Sequence, residues 1–567
     1  MGGEEAAGTQ SVLARAARGG SYLFLQRVLT FALNSFVLRR LQLSITGAVT
    51  VRLELALASV FLLRDGFRLA FLRMPSLDGA DAKTHGPSTI RPLVNAAWLS
   101  TVVSWLIAVA IIVGSILISQ PNQDAEGLEH YTLVMAMYCA AAMIEALAEP
   151  MYVLAHCSVL VSWQVSAQGA AFLVRGCIQY ACIFALDLGL LAYGVAEICY
   201  ASTLLVVFAG LFWRRIHDPI ASKTFALDSM RQLLPHTPAV ASEPWFHADL
   251  VPLLVPFSLQ SGVKYLLTEG DKWVLSVFAS FQNMGVYGIV FHLGSLVPRM
   301  VFLPLEEATK TIFSKIGRSS AEDKLKDKQK DLTIGEGRVV FMLLLKFMHL
   351  IGLTFACFGF NYADTLVLLL YGTEKARLGV GSALAVYCVY IYFLGVNGIC
   401  EAVVHAVGNE RQLMQLNKLM GVFFLIYAGS ALAFMEIFQF GTIGIILANC
   451  VNMGCRIAYC LGFLANHFET ARASSVFAFA RQSLPGQLVV FAFGASFVVT
   501  AAAKRVLLAA PHHESWLRHC VHVVVGGVCL MLVAATLYVK ERHVLRDQLA
   551  LIRGKGGDSS ASKPHAD

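Results

Sequence analysis

The sequence predicts an all-α polytopic membrane protein of about fourteen transmembrane helices, as two pseudo-symmetric six-helix lobes plus two C-terminal helices. Three observations predict it. Hydrophobic residues make up 57% and charged residues 14%, where a soluble domain carries roughly 25% charged. Lysine and arginine gather in alternate loops. A shift of 238 residues lays the start of the chain on its middle.

Residues 1–18 are small, polar and mildly basic, without a cleavable signal pattern, so the first span is expected to act as an uncleaved anchor. Apolar runs of bilayer length near 20–41, 45–72, 93–119, 132–154, 159–186 and 188–213 make the first lobe, 19–213. A turn is expected just before Gly47. Residues 214–250 hold Arg214, Arg215, Lys223, Arg231 and several prolines, and read as a cytosolic linker. Runs near 251–280, 284–314, 337–360, 380–407, 413–435 and 441–466 make the second lobe, 251–466, with a charged loop at 315–336. Two more spans fall within 467–540, before a disordered cytosolic tail, 541–567.

The loop charges set the topology. Arg73, Lys83 and Arg91 follow the second span, and Lys315, Arg318, Lys324, Lys326, Lys328 and Lys330 follow the eighth. The 120–131 loop has no lysine or arginine and carries Asp124, Glu126 and Glu129. The positive-inside rule then places both termini in the cytosol. Arg39–Arg40, Lys375–Arg377 and Lys504–Arg505 are exceptions.

The 238-residue shift sets Ser21–Val49 against Leu259–Tyr287, with Thr30 on Thr268, Gly47 on Gly285 and Asn34 on Lys272. Parallel repeats of this kind place a substrate site where the halves meet.

The most informative stretch is Ser261–Phe313, read as two spans around a turn at Asn283–Gly285. The first carries Lys264, Glu269, Asp271 and Lys272, each costing roughly 2.5–3.5 kcal/mol at a helix centre. They must pair, face water, or both. Lys264, Thr268, Asp271 and Lys272 share one 100° sector, and Glu269–Lys272 is an i,i+3 pair. The second span holds Pro298 and Pro304 before Glu306–Glu307, which predicts a kinked or broken helix. Two roles fit: an ion-pair girdle that fixes packing, or the lining of a solvated translocation cavity. The second is the expectation.

The first two spans are rich in cations. Arg27, Thr30 and Asn34 share a face, and Arg39, Arg40, Arg52, Arg64 and Arg68 follow against only Glu54 and Asp65. Six arginines less two acids leave +4, so pairing inside these spans cannot neutralise them. Guanidinium forks suit phosphate. Arg39, Arg40 and Arg68 are expected to snorkel to headgroups, while Arg27 and Arg52 are expected to line a cavity. Elsewhere, Glu145, Glu149 and Pro150 end the fourth span, and Arg175 and Gln179 face alike in the fifth. Asn397, Glu401 and His405 share a face, as do Asn449, Asn452 and Arg456. Asn449 and Asn452 fit helix bridging better than substrate contact. Glu401, read as an uncompensated acid, fits either role.

The thirteen cysteines are scattered, with no Cys-x-x-Cys or Cys/His metal spacing. No Walker loop, Gly-x-Ser-x-Gly or His-Glu-x-x-His occurs, so neither nucleotide hydrolysis nor common hydrolase chemistry is supported.

The runs LTFALNSFVLRRL, VRLELALASVFLLRDGFRLAF, LLTEGDKWVL, GVYGIVFHLGSLVPRMVFLPLEE, LYG, VNGICEAVVHA and GIILANCVNMGCR closely resemble the Rft family. That family is the lipid-linked oligosaccharide translocation protein of the endoplasmic reticulum. The resemblance spans about 20–466. The family is similar to the multidrug/oligosaccharidyl-lipid/polysaccharide exporter superfamily, whose two six-helix lobes form a V-shaped central cavity. It implies a non-enzymatic, flippase-like protein of the endoplasmic reticulum membrane, serving protein N-glycosylation. Its substrate would be a dolichol-pyrophosphate heptasaccharide moved from the cytosolic to the lumenal leaflet. No cofactor, metal or nucleic acid is implied; the partners are that glycolipid, membrane lipid and other dolichol-pathway enzymes, with the chain a monomer. The residues carried over are Arg27, Arg39, Arg52, Arg64, Glu269, Asp271, Lys272, Glu306, Asn397, Glu401 and Asn452. With Asn34 and Lys264 these give the expected site. Arg27, Asn34, Arg39, Arg52 and Arg64 would take the pyrophosphate. Lys264, Glu269, Asp271, Lys272, Glu306, Asn397, Glu401 and Asn452 would form a polar cluster in the cavity. Two other classes stay open: a non-transporting accessory that organises the glycolipid for lumenal mannosyl extension, and an ion-coupled exporter of small cations. The +4 surplus argues against the exporter.

Overall fold

The computed structural model describes residues 35–74, 87–117, 128–158, 160–219, 221–237, 244–322, 327–468, 476–508 and 516–552. Arg27, Thr30 and Asn34, and most of the expected 20–41 span, lie outside them. All regular structure in the described residues is helical, without a strand. Eleven helices there are long and apolar enough to cross a membrane. Two further helices expected to cross, Val161–Phe184 and Val251–Phe278, fall outside that set. Polar groups lower the hydropathy of both: Gln164, Gln168, Arg175 and Gln179 on the first, Lys264, Glu269, Asp271 and Lys272 on the second.

Contacts divide the chain into two compact units, 1–288 and 289–567. The first therefore includes 251–288, which the sequence reading assigns to the second lobe. Its helices are α1 (Leu43–Gly47), α2 (Glu54–Val60), α3 (Arg64–Phe71), α4 (Pro87–Leu117), α5 (Tyr131–Cys157), α6 (Val161–Phe184), α7 (Leu191–His217) and α8 (Val251–Phe278). α9 (Phe281–Gly294) begins in this unit. A π-helical turn, Ala48–Leu53, joins α1 to α2. The segment read as a linker is not free chain. Phe225, Leu227, Leu233 and Leu250 are buried in the core with Leu93, Val94, Phe208 and Phe212. Trp98 Nε1 donates to the Leu233 carbonyl at 2.7 Å, and Asn95 Nδ2 donates to the His236 carbonyl at 2.8 Å. Four large apolar side chains among polar neighbours are enough to dock it.

The second unit continues with α10 (Leu303–Glu322), α11 (Asp327–Thr354), α12 (Phe360–Tyr371), α13 (Val380–Val407), α14 (Glu410–Leu432), α15 (Thr442–Phe468), α16 (Val476–Ser483), α17 (Gln487–Leu508) and α18 (Trp516–Ile552). The proline-bearing span is interrupted, as its sequence predicts: Pro298–Phe302 is a π-helical turn, where the missing proline N–H loosens the ladder. The expected charged loop at 315–336 is corrected, because α10 runs to Glu322 and α11 starts at Asp327. Its Lys, Glu, Gln and Leu are good helix formers. The ninth span likewise continues past 360 to Tyr371 through a π-helical turn, Phe355–Gly359. The last helix extends to Ile552, into the expected tail. A capping box starts α14: Asn409 Oδ1 accepts from Gln412 N at 3.0 Å, and Gln412 Oε1 accepts from Asn409 N at 2.9 Å. The extra pair, α17 and α18, docks through polar groups on α12. Asn361 Nδ2 donates to Thr500 Oγ1 at 2.8 Å, Tyr362 Oη donates to the His522 carbonyl at 2.7 Å, and Lys504 meets Asp364 at 2.5 Å.

The repeat shows itself in α1 and α9, with a change in what its glycines do. The chain turns at Leu41–Gln42 and again at Ala279–Ser280, 238 residues apart. Gly47 and Gly285 are therefore inside helices, not in turns. A Cβ on Gly47 would strike the Phe281 carbonyl and the Gly285 nitrogen, and one on Gly285 would strike the Leu43 carbonyl. Phe281 stands to Leu43 as Gly285 stands to Gly47, at the same offset. The same patch of each repeat thus meets its counterpart, the pattern of an isologous contact. Thr50 and Gly288, also 238 apart, touch each other one turn on. Small residues at such a crossing let backbones approach closely in lipid.

Gly285→Leu should therefore destabilise beyond the roughly 1–3 kcal/mol of ordinary overpacking, because backbone, not a movable side chain, blocks it. Gly176→Leu, where a Cβ meets nothing within 4 Å, should melt like the parent protein. Thermal unfolding of the purified variants in detergent measures both, and equal melting temperatures would refute the close crossing.

Candidate functional site

The charged run on α8 lies along α1–α3 as an antiparallel seam. Lys264 Nζ meets Asp65 Oδ2 at 3.0 Å near the exposed end of the seam. Tyr265 Oη and Ser59 Oγ are 2.6 Å apart, and Trp273 Nε1 donates to Tyr265 Oη at 3.2 Å. Lys272 Nζ reaches Glu269 Oε2 at 3.0 Å and Glu54 Oε2 at 3.2 Å. The i,i+3 pair is as the sequence expects; the second acid, Glu54, is new. A lysine ammonium has three donors and can hold both. Asp271 accepts a hydrogen bond from Tyr287 Oη. Every charge the sequence singles out on this helix has a partner, the pairing that a girdle role would require.

Arg52 differs. Its Nη2 donates to the Ser276 carbonyl at 2.9 Å and its guanidinium lies 4.5 Å above the Phe281 ring. Its Nε is buried without a partner, and no carboxylate of the described residues pairs with it. It is a half-buried cation held only by neutral groups.

Deeper in the first unit, Arg64 Nη1 donates to Glu145 Oε1 at 2.7 Å. Arg68 grips Glu149 with two bonds, Nε at 2.6 Å and Nη2 at 2.7 Å, while its guanidinium lies 3.6 Å from the Tyr152 ring centroid. Arg175 meets Glu197 at 3.0 Å. Two of these pairs reduce the argument from a +4 surplus, because Glu145 and Glu149 on α5 neutralise Arg64 and Arg68. They also correct the headgroup role for Arg68, whose side chain is only 17% exposed. Arg39 and Arg40 are exposed, in keeping with that role. The matching spacing was the overlooked signal: Arg64 and Arg68 are four apart, as are Glu145 and Glu149. Two helices carrying opposite charges at the same i,i+4 interval can dock both pairs at once.

In the second unit, Glu401 is not uncompensated. Arg456 Nη2 donates to its Oε2 at 2.6 Å, Asn397 Nδ2 at 2.9 Å, and His405 Nε2 lies 3.6 Å from Oε1. Glu306 packs so closely on Gly398 that a Cβ there would strike its carboxylate. Asn397 Oδ1, Asn452 Oδ1 and Arg456 Nε are buried without partners. Three helices, α10, α13 and α15, thus converge on Glu306, Asn397, Glu401, Asn452 and Arg456. The described residues contain no group of His, Cys, Asp and Glu fit to hold a metal.

Comparison with known proteins follows this geometry closely. Residues 20–550 match the model of a family described as Rft-1: Rft protein. The chain is 32% identical over 564 residues to the Man(5)GlcNAc(2)-PP-dolichol translocation protein RFT1 of Xenopus tropicalis, covering 96% of this chain and 98% of that one. It is 31% identical to the protein of that name in Mus musculus, covering 96% and 99%, and 27% identical to that of Dictyostelium discoideum, covering 96% and 98%. Among solved structures it resembles an inward-facing multidrug resistance MATE family transporter of the MOP superfamily, with a TM-score of 0.53, 14% identity and coverage of 78% and 95%. It also resembles the lipid II flippase MurJ in an inward closed conformation, with a TM-score of 0.51, 13% identity and coverage of 90% and 99%. At these identities the two structures establish the fold alone.

The shared lysine changes what a charge swap should do. Exchanging Glu269 and Lys272 restores their own pair but leaves Glu54 facing an acid, so abundance should stay low. Adding Glu54→Gln should recover it. Steady-state level and melting temperature of the three variants are the readout, and full recovery by the two-site swap would show that Glu54 does not share the lysine.

Proposed function

The chain belongs to the Rft family, and from that premise we propose that it moves a dolichol-pyrophosphate-linked oligosaccharide across the endoplasmic reticulum membrane. The cargo is the Man5GlcNAc2 heptasaccharide on its lipid, carried from the cytosolic to the lumenal leaflet, with both termini of the protein in the cytosol. The reading is supported by the extent of likeness to relatives named for that translocation, across nearly their whole length. A pyrophosphate alone in hydrocarbon faces a desolvation penalty of tens of kcal/mol by Born reasoning. A pathway must replace its water with fixed donors.

Arg52 is the observation that carries the site. Among the described residues no acid lies against it and its Nε makes no hydrogen bond. An anion arriving there gains a charge already desolvated, whereas at Arg64 it must displace Glu145. Arg27 and Asn34, which lie outside the described residues, stay in the proposal on their sequence spacing, together with Arg39 and the paired Arg64. Within the first unit Lys264, Glu269, Asp271 and Lys272, and separately within the second unit Glu306, Asn397, Glu401 and Asn452, are groups that could each offer sugars donors and acceptors. The dolichol chain remains in lipid.

Purified protein in liposomes loaded with the labelled glycolipid provides the test. Translocation above that of protein-free vesicles is expected. Arg52→Ala should lower glycolipid binding about tenfold, and Arg52→Lys should fall between, since lysine lacks the two-pronged grip. A stable Arg52→Ala with parental binding would remove the pyrophosphate role. Binding without translocation would favour the accessory role instead.

Orientation has its own test, since the chain has no Asn-x-Ser/Thr acceptor. Acceptors introduced in 120–131 should be glycosylated and those in 315–336 should not. The opposite pattern would invert the topology.

A further inference from the structure

Inside the first unit, α3, α5, α6 and α7 enclose a cavity of about 210 Å³. Its polar wall is the two ion pairs, Arg64–Glu145 and Arg68–Glu149, with Gln168. The rest of the lining is largely aromatic: Tyr152, stacked on Arg68, with Tyr200, Phe208 and the exposed Phe172. Phe172 and Tyr200 lie with ring centroids 5.1 Å apart. We propose that this cavity is a monosaccharide subsite, taking one pyranose ring of the glycan carried by the lipid. The inference rests on the glycolipid reading above and deepens it.

Charge decides against other ligands. Each guanidinium faces its own carboxylate, so the wall is neutral overall. An anion would meet Glu145 and Glu149, and a cation would meet Arg64 and Arg68. A neutral polyol meets neither objection. Each of its hydroxyls both donates and accepts, which suits a wall of fixed guanidinium donors beside fixed carboxylate acceptors. Mutual pairing holds these groups in place before any ligand arrives, which lowers the entropic cost of binding.

The aromatic lining supplies the other half. A pyranose has a rim of hydroxyls and an apolar C–H face, and aromatic rings pack well on such faces. Tyr200 is 9% exposed and lines the cavity, so its ring and hydroxyl are both available to a guest there. Size then limits the guest: pockets for drug-sized ligands run to roughly 300–1,000 Å³, so this smaller space suits a single ring.

The test compares two lipids on one protein. Full-length protein in nanodiscs is titrated with dolichyl pyrophosphate bearing Man5GlcNAc2 and with bare dolichyl pyrophosphate. The parent protein should bind the glycosylated lipid more tightly. The double variant Tyr200→Phe, Gln168→Leu should lose about tenfold for the glycosylated lipid and nothing for the bare one. If that variant melts early, Tyr200→Phe alone keeps the ring and should lose about threefold with the same selectivity. Unchanged affinity for the glycosylated lipid would overturn the subsite and leave water as the only guest. So would equal loss for both lipids, or a parent protein that does not distinguish them, while the pyrophosphate reading would stand. A parent protein that binds neither lipid would refute the glycolipid reading itself.

Discussion

A charge cannot stand alone in hydrocarbon, and much of this structure follows from that. Each charge at mid-span costs roughly 2.5–3.5 kcal/mol, so a helix that carries one must lie against a helix that carries its opposite. Arg64 and Arg68 bring α3 to α5. Lys272 brings α8 to the start of α2. Arg175 ties α6 to α7, and Arg456 ties α15 to α13. Such pairs add little stability over apolar side chains of the same volume, yet breaking one side costs about 3–5 kcal/mol. What they decide is which helices become neighbours. Apolar helices in lipid have weak preferences of their own.

The pairs also explain why Arg52 matters. With Arg64, Arg68 and Arg175 each paired to an acid, Arg52 stands apart among the described residues as a half-buried guanidinium held by neutral groups. A cation so placed selects an anion by position. The cavity at Arg64 and Arg68 shows the complementary use, where the same residue type presents hydrogen bonds without net charge.

Much of this was legible in the sequence because hydrocarbon imposes simple rules on composition and length. Span positions, the break at Pro298 and the Glu269–Lys272 pair could be read from local pattern. Contacts between distant helices could not. Counting charges within the first two spans overstated the surplus, because two compensating acids, Glu145 and Glu149, lie some 80 residues away. Face arguments also fail where the helix changes pitch. The π-helical turn at Ala48–Leu53 and the break before Arg64 shift the phase between Arg52 and Arg64. Glycine was ambiguous for another reason: the same residue serves a turn or a close crossing, and only the neighbouring backbone tells them apart. Polar character likewise hid four core residues between 225 and 250.

The meeting of Gly47 with Gly285 bears on how such a chain arises. A patch that touches its own copy is the interface of a homodimer. A half-length ancestor with that patch has a ready means of association, and gene duplication with fusion makes the association independent of its concentration in the membrane. Afterwards the two copies are held to different standards. Gly47 and Gly285 cannot drift, because each is filled by the other's backbone. Positions off the contact are free to diverge: 238 residues beyond Arg64 and Arg68 stand Phe302 and Glu306. Fusion thus gives one polypeptide two chemically unlike halves while the seam between their first helices keeps its original symmetry.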